Sequence, residues 1–427
     1  MQHARRVPPR ARAVAVATAL GVAFFAGPAA AQLAVEPTGR VETITLPYSP
    51  HWLVVGDVIQ QRSALVDLDS GRLLGILDSG WGLPQTLLPA SGKEIYVAET
   101  HYSRGSRGER TDVLTVYDPH TLAPTREIVI PPKRALSATP VAHAALSDDD
   151  RFAALFNLTP ATSLSIVDLE KKRFVGEIAT PGCSLVYPVG ARRFALICMN
   201  GGLMVVTLDD AGHELAKLRT PTFFDPEEDP ITEKAARWGD RWLFVSFEGR
   251  IHPVGFGGDE VAFEEPWSLT PDRQREVGWR VGGVQHLAAH EASGRLYALM
   301  HQGGPDSHKN GGTEVWVYDL ATRERIQRIE LQSPGLTFLG APIEGGPRWG
   351  WLIDWIANRL TNAVPELAID AIAVTQDDAP RLVTTGAFSG GVASYDALTG
   401  EFLGRVYSGN ITNVGLQAPF RPPLERQ

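Results

Sequence analysis

Two cysteines in 427 residues, Cys183 and Cys198, are too few for a disulfide-dense scaffold or for a zinc or iron–sulfur site built on several thiolates. Basic residues are also in deficit. Forty Lys and Arg stand against 49 Asp and Glu, a formal net charge of −9, so the chain lacks the counter-charge that nucleic-acid binding needs. Charged residues are 21% and hydrophobic residues 44% of the chain, which excludes a disordered or collagen-like polymer. There is no Gly-rich phosphate loop, no Gly-x-Ser-x-Gly elbow and no His-Glu-x-x-His helix. The marked apolar run, Ala13 to Phe25, is too short to cross a bilayer comfortably.

That run has another use. Arg5, Arg6, Arg10 and Arg12 precede it, and Ala29-Ala30-Ala31 follows with small side chains suited to cleavage before Gln32. Residues 1–31 therefore read as a secretory signal peptide, and the expected compartment is the periplasm. Removing them takes away four arginines and no acids, which leaves the mature chain at −13. An oxidising compartment favours a disulfide over a reactive thiol pair. Cys183 and Cys198 lie in apolar stretches on either side of a turn expected at Gly190-Ala191-Arg192. A bridge closing that 15-residue loop contributes about 3 kcal/mol on the chain-entropy account.

One unit recurs along the chain: an apolar strand ending in aspartate, a polar turn, and a second apolar strand. Clear copies are Ala64-Leu65-Val66-Asp67, Leu114-Thr115-Val116-Tyr117-Asp118, Leu164-Ser165-Ile166-Val167-Asp168 and Val315-Trp316-Val317-Tyr318-Asp319. Weaker copies end at Asp209 and Asp259, and Ala393-Ser394-Tyr395-Asp396 supplies a seventh. A second hairpin precedes several copies, as at Ser91-Gly92-Lys93, Asp148-Asp149-Asp150 and Ala292-Ser293-Gly294. Four strands per unit and seven units spaced about 55 residues apart make a single seven-bladed β-propeller over residues 32–427. Residues 39–46 are expected to add a strand to the last blade and close the ring.

The interval from Asp319 to Asp396 is 77 residues and holds an insertion, 342–368, with Trp349, Trp351 and Trp355. Leu352, Ile356, Leu360 and Val364 fall at helical spacing, so a helix is expected near residues 348–364. It either packs on the propeller or presents a docking surface to a partner or membrane.

No catalytic constellation emerges from the remaining polar residues. His286 and His290 are four apart in strand-like sequence, a poor spacing for shared metal ligation and a better one for structural roles. His301 and His308 flank the loop Gly303-Gly304-Pro305-Asp306. The run Asp225-Pro226-Glu227-Glu228-Asp229 reads as a solvated loop before it reads as a calcium site. Arg104, Arg107 and Arg110 read as a hairpin tip or a patch for an acidic partner. No metal site and no cofactor-binding residue is assigned.

Several strings, in this order, resemble the large (heavy) subunit of tryptophan tryptophylquinone amine dehydrogenases, nearer the aromatic-amine type. They include Arg107-Gly108-Glu109-Arg110-Thr111-Asp112-Val113, Pro131-Pro132-Lys133-Arg134, Gly182-Cys183 with Ile197-Cys198-Met199-Asn200-Gly201-Gly202, and His290-Glu291-Ala292-Ser293-Gly294-Arg295. The resemblance implies a periplasmic α2β2 complex whose small subunit carries the quinone and the catalytic base. Primary amines become aldehyde and ammonia, and electrons leave to a blue copper protein of the azurin or amicyanin type. It also implies that Cys183 and Cys198 form the family's disulfide hairpin. Trp81, in Asp78-Ser79-Gly80-Trp81-Gly82-Leu83-Pro84, matches an aromatic residue at the mouth of the substrate channel, usually phenylalanine. A loop-packing role for Trp81 is the plainer reading. The other class of function is a stand-alone periplasmic propeller that binds a ligand or protein without a quinone partner.

Overall fold

The computed structural model describes residues 43–418, apart from 47, 84, 137–140, 259, 334–336, 339–340, 343–349, 354, 357–358, 360–367 and 388. The signal-peptide reading of residues 1–31 lies outside the described residues. So do Asp259, Trp349, and Leu360 and Val364 of the insertion. The unit from Thr43 onward is a seven-bladed β-propeller.

Each blade is an antiparallel meander of four strands whose innermost strand lines the axis and whose outermost faces solvent. Blade 2 runs Gln85–Leu87, Ile95–Tyr102, Arg110–Tyr117 and Pro124–Ile130. Blade 3 runs Ala144–Leu146, Phe152–Asn157, Ser163–Asp168 and Arg173–Ala179. Blade 4 begins at Cys183–Pro188 and Arg193–Cys198. Blade 6 splits its inner strand into Trp279–Val281 and Leu287–His290, both paired with Arg295–Gln302. The middle strands are buried on both faces, as their Val, Ile, Leu and Ala content requires. The outer strands alternate or are wholly exposed, as in Glu214–Arg219.

The recurring aspartates sit where the third strand of a blade turns into the fourth. Asp118 accepts the N–H groups of His120 and Thr121 at 2.9 and 2.7 Å, and Asp319 those of Ala321 and Thr322 at 2.9 Å each. Asp168, Asp209 and Asp396 close the same kind of turn. A register shift follows in the strand pair beside each of them, for example at Val116/Tyr117 and Val317/Tyr318. The turn demands a left-handed residue. Gly71 and Gly400 supply it in two blades, while Leu122, Lys172 and Arg323 adopt positive φ in three others.

Ring closure differs from the sequence expectation. Residues 43–45 form no strand; Ile44 instead exchanges hydrogen bonds with His120 of blade 2. The last blade is complete in Ala371–Val374, Arg381–Thr385, Gly391–Asp396 and Phe402–Tyr407. Closure comes from the other end. Leu416–Gln417 becomes the innermost strand of blade 1, paired with Trp52–Asp57. Asp57, fully buried, clasps it by accepting from Ile411 N, Thr412 N and Thr412 Oγ1 at 2.6, 3.2 and 2.8 Å.

In the insertion, the described residues 350–353, 355–356 and 359 are helical, within the span expected for a helix. The other helix among the described residues is the short Asp272–Glu276. No described helix is long and apolar enough to cross a membrane.

Candidate functional site

Antiparallel meanders give the ring two unlike faces. The turns joining strands one to two and three to four lie on one face, which carries the capping aspartates. The loops joining strands two to three, and the links between blades, lie on the other. Trp81, the Arg104–Arg107 tip, both cysteines, the acidic run 225–229, His308 and both ends of the 342–368 insertion all belong to this connection face. Cys183 and Cys198 pair directly across the blade 4 hairpin and are joined as a disulfide.

Large apolar side chains are exposed on this face in connection after connection: Ile59, Trp81, Leu158, Met199, Val277, Trp351 and Trp355. Met199 is 83% and Trp351 69% exposed. Among the described residues, the turns of the opposite face expose only Leu398 in this way.

Trp81 sits in the link from blade 1 to blade 2, where a small set of contacts fixes it. Its N–H donates to Thr100 O at 2.7 Å, and its ring meets Tyr102 edge-on with centroids 6.5 Å apart. Gly80 precedes it at φ +61°, and a Cβ there would lie 2.7 Å from Thr100 O, so only glycine fits. Beneath the loop Arg134 is buried, 2% exposed, and donates to Trp81 O at 3.4 Å and to Thr100 Oγ1 through Nε and Nη2 at 3.2 and 3.1 Å. Asp112 balances its charge: it accepts Arg134 N at 2.9 Å and Thr100 Oγ1 at 2.8 Å, while Arg110 grips it through two N–H groups at 2.8 and 2.7 Å. Burial pushes the Arg134 guanidinium down to about 10, so it stays charged at neutral pH. Next to this set, buried Glu99 accepts from Thr115 and Tyr117, and desolvation raises its carboxyl above the usual range.

The other candidates resolve into structural roles. His286 is fully buried, with Nε2 3.0 Å from Thr232 Oγ1, and desolvation holds it neutral. His290 hydrogen-bonds Ser293 Oγ and Asp377 O. His301 bonds Ser307 Oγ, and His308 stacks on Phe247. Asp225 caps Glu227 and Glu228 N–H rather than gathering with other acids about a cation. No group of three or more potential metal ligands occurs among the described residues. Sequence reasoning missed the Arg134–Asp112–Thr100 set, because its members lie 12 to 34 positions apart.

Along the axis the inner strands of the seven blades enclose an apolar cavity of about 330 Å³, lined among others by Leu87, Ala145, Tyr187, Ala289, Val374 and Leu416. Solved propellers show the same fold. A dihydro-heme d1 dehydrogenase in complex with DHE aligns at TM-score 0.52 with 16% identity, covering 88% of this chain and 77% of that one. The periplasmic gluconolactonase of Pseudomonas aeruginosa aligns at 0.51 with 12% identity, covering 86% and 98%.

The chain is a seven-bladed propeller whose repeats cap one face while the other carries exposed apolar side chains in its connections. The profile of the methylamine dehydrogenase heavy chain matches residues 51–334, and the chain belongs to that family. The methylamine dehydrogenase heavy chain of Methylobacillus flagellatus is 28% identical over 343 residues, 80% of this chain and 77% of its own length. That of Paracoccus versutus is 29% identical over 341 residues, 79% and 71%. These matches place the chain with the large subunits of amine dehydrogenases as a group, and do not single out the aromatic-amine branch.

Proposed function

We propose that this chain is the large, non-quinone subunit of a periplasmic amine dehydrogenase that oxidises primary amines to aldehyde and ammonia. The small subunit docks on the connection face, and Trp81 lines the mouth of the substrate channel formed there. The observation that carries the reading is the run of exposed apolar side chains in the loops and links of that face, where the turns of the opposite face expose Leu398 alone among the described residues, in a chain of the heavy-chain family. Met and Trp are enriched at interface cores for their large contact area.

The expected quinone does not fit this chain's own residues. Among the described residues the two tryptophan rings that touch, Trp279 and Trp316, are buried in blade 6 with centroids 5.1 Å apart; Arg325 covers Trp316, and Arg328 lies against both rings. That packing gives a substrate no access, which supports placing tryptophan tryptophylquinone on the small subunit in an α2β2 complex. Held there, the quinone would supply the oxidant for the amine, with a blue copper protein as the proposed electron acceptor. This chain's contribution is to exclude water from the junction and to select amines by size at Trp81. An indole at this mouth, in place of the family's usual phenyl ring, narrows the channel or alters amine preference.

Purification from native periplasm, with a visible spectrum and a dye-linked amine assay, tests the reading. A coloured complex with a co-purifying small chain is expected. A colourless monomer would establish the stand-alone binding propeller instead. Within the complex, Leu158→Glu with Met199→Glu should weaken subunit capture by at least about tenfold without lowering the Tm of this chain, because both side chains are exposed. Ile326→Glu, on an outer strand, should leave capture unchanged.

A further inference from the structure

A buried arginine that donates to the hydroxyl of Thr100 and, through one N–H group, to the backbone of an exposed aromatic loop is poorly explained by stability alone. Removing a guanidinium from water is costly unless every part of it is used, and Arg134 Nη1 is buried without a partner. The remaining N–H groups are spent on two acceptors, Thr100 Oγ1 and Trp81 O. Thr100 holds the same loop a second time through its carbonyl, which accepts Trp81 N–H at 2.7 Å. Trp81 is therefore gripped at both of its backbone polar groups, one directly by Arg134 and the other through the residue Arg134 holds. Arg110 locks the base of the set by donating to Arg134 O at 2.6 Å as well as to Asp112.

We propose that Arg134 is a positioning residue that, with Thr100 and Asp112, sets the angle at which the Trp81 indole stands over the connection face and thereby tunes amine selectivity. Its selectivity half rests on the reading of Trp81 as the channel mouth; its positioning half does not. The planar fork of an arginine suits the task, since it reaches a hydroxyl and a carbonyl at once. A lysine at 134 would keep the charge and lose the fork.

The test separates the two halves. Incorporate 5-fluorotryptophan into the full chain, which has ten tryptophans, and assign the Trp81 19F resonance by its loss in Trp81→Phe. Arg134→Gln and Thr100→Val should each move or broaden that resonance and leave those of Trp52 and Trp316, deep in other blades, in place. Thr100→Val changes one atom of a buried side chain and serves if Arg134→Gln does not fold. A Trp81 resonance unchanged in Thr100→Val overturns the positioning role.

In the assembled dehydrogenase, the ratio of kcat/KM for phenylethylamine to that for methylamine should shift by at least about threefold in Thr100→Val, in the direction of Trp81→Ala. In a Trp81→Ala background the same substitution should have almost no further effect, because coupled residues fail to add. A shift that persists undiminished in that background overturns action through Trp81. If Trp81→Ala itself leaves the ratio unchanged, the channel reading fails while the positioning result stands on the resonance.

Discussion

The two faces of the ring are built under different constraints. On the turn face, one solution is repeated: an aspartate accepts the next two or three N–H groups, and a left-handed residue completes the reversal. The connection face repeats nothing. It holds the closing clasp of Asp57, the disulfide hairpin, the Arg134 set under Trp81, the insertion between blades 6 and 7, and the exposed apolar side chains. Turns that only reverse the chain converge on one chemistry, whereas loops that meet a partner diverge from blade to blade. The comparison also separates two ways to handle a carboxylate. Turn-face Asp118 and Asp319 are held below the usual carboxylate range chiefly by backbone hydrogen bonds, while connection-face Asp370 is pushed up by burial to about 6.

The largest expected effect breaks the connection face at its clasp. Asp57 accepts Ile59 N and Gln60 N at 2.8 and 2.9 Å in addition to the three donors from Ile411 and Thr412. Asp57→Ala removes all five bonds and leaves the buried N–H and Oγ1 of Thr412 without this acceptor, while Ile411 N keeps Gln60 Oε1 at 3.1 Å. At about 1.5–3 kcal/mol for a hydrogen bond to a charged group, the loss of stability should be at least about 4 kcal/mol. Denaturant unfolding measures it, with Asp57→Asn expected to recover part. The turn face carries a lesser clasp, His51 between Asp69 and Asp377 at 2.8 and 3.0 Å. Should His51→Ala cost as much as Asp57→Ala, closure would not be concentrated on the connection face.

Acid should act in opposite directions on the capping Asp118 and Asp319 and on buried Asp370. For turn aspartates with lowered folded pKa, the stabilisation is present above the unfolded value near 4 and disappears as pH falls through the folded value. Asp370 has the reverse sign. Its folded form holds a proton up to about pH 6 where the unfolded chain has already released one, so stability declines as pH rises from about 4 to about 6 and stays reduced above. One oxygen of Asp370 accepts Ala387 N–H at 2.7 Å, a bond that an asparagine retains. Asp370→Asn should raise the Tm by a few degrees at pH 7.5, with the gain vanishing near pH 4. A gain of the same size at both pH values would mean that burial of the charge is not its source.

The contrast between the faces explains what was legible in the sequence. Asp118 and Asp319 sit in turns whose hydrogen bonds span two or three residues, so seven blades could be counted from local patterns alone. The closing strand could not be found that way: Leu416–Gln417 is two residues long and is specified by Gln285, which holds Leu416 at both backbone groups from 131 positions away. Residues 39–46 alternate like a strand and suit the closing role on that pattern, yet Ile44 finds its partner in blade 2. Trp81 came only from a resemblance, and its supports Thr100, Asp112 and Arg134 each look like ordinary strand or loop residues until the blades bring them together.

The smallest expected effect belongs to the repetitive face, and it limits how far the capping aspartates can be called structural keystones. Asp118 lies at an exposed turn where water competes for every hydrogen bond, so losing its carboxylate exposes donors that solvent can satisfy. Asp118→Ala should therefore lower the Tm by only about one degree in a chain of this size. Its neighbourhood adds one contact that other blades lack, since His120 N–H donates to Asp118 Oδ1 while the His120 carbonyl accepts Ile44 N–H at 2.8 Å. The same change at Asp319, which has no such N-terminal strap beside it, should cost slightly less. Hydrogen exchange at Ile44 distinguishes the two sources: protection should fall in Asp118→Ala and stay constant in Asp319→Ala. If both variants lost several degrees, the turn face would be setting the stability of the ring, and the division of labour between the faces would have to be redrawn.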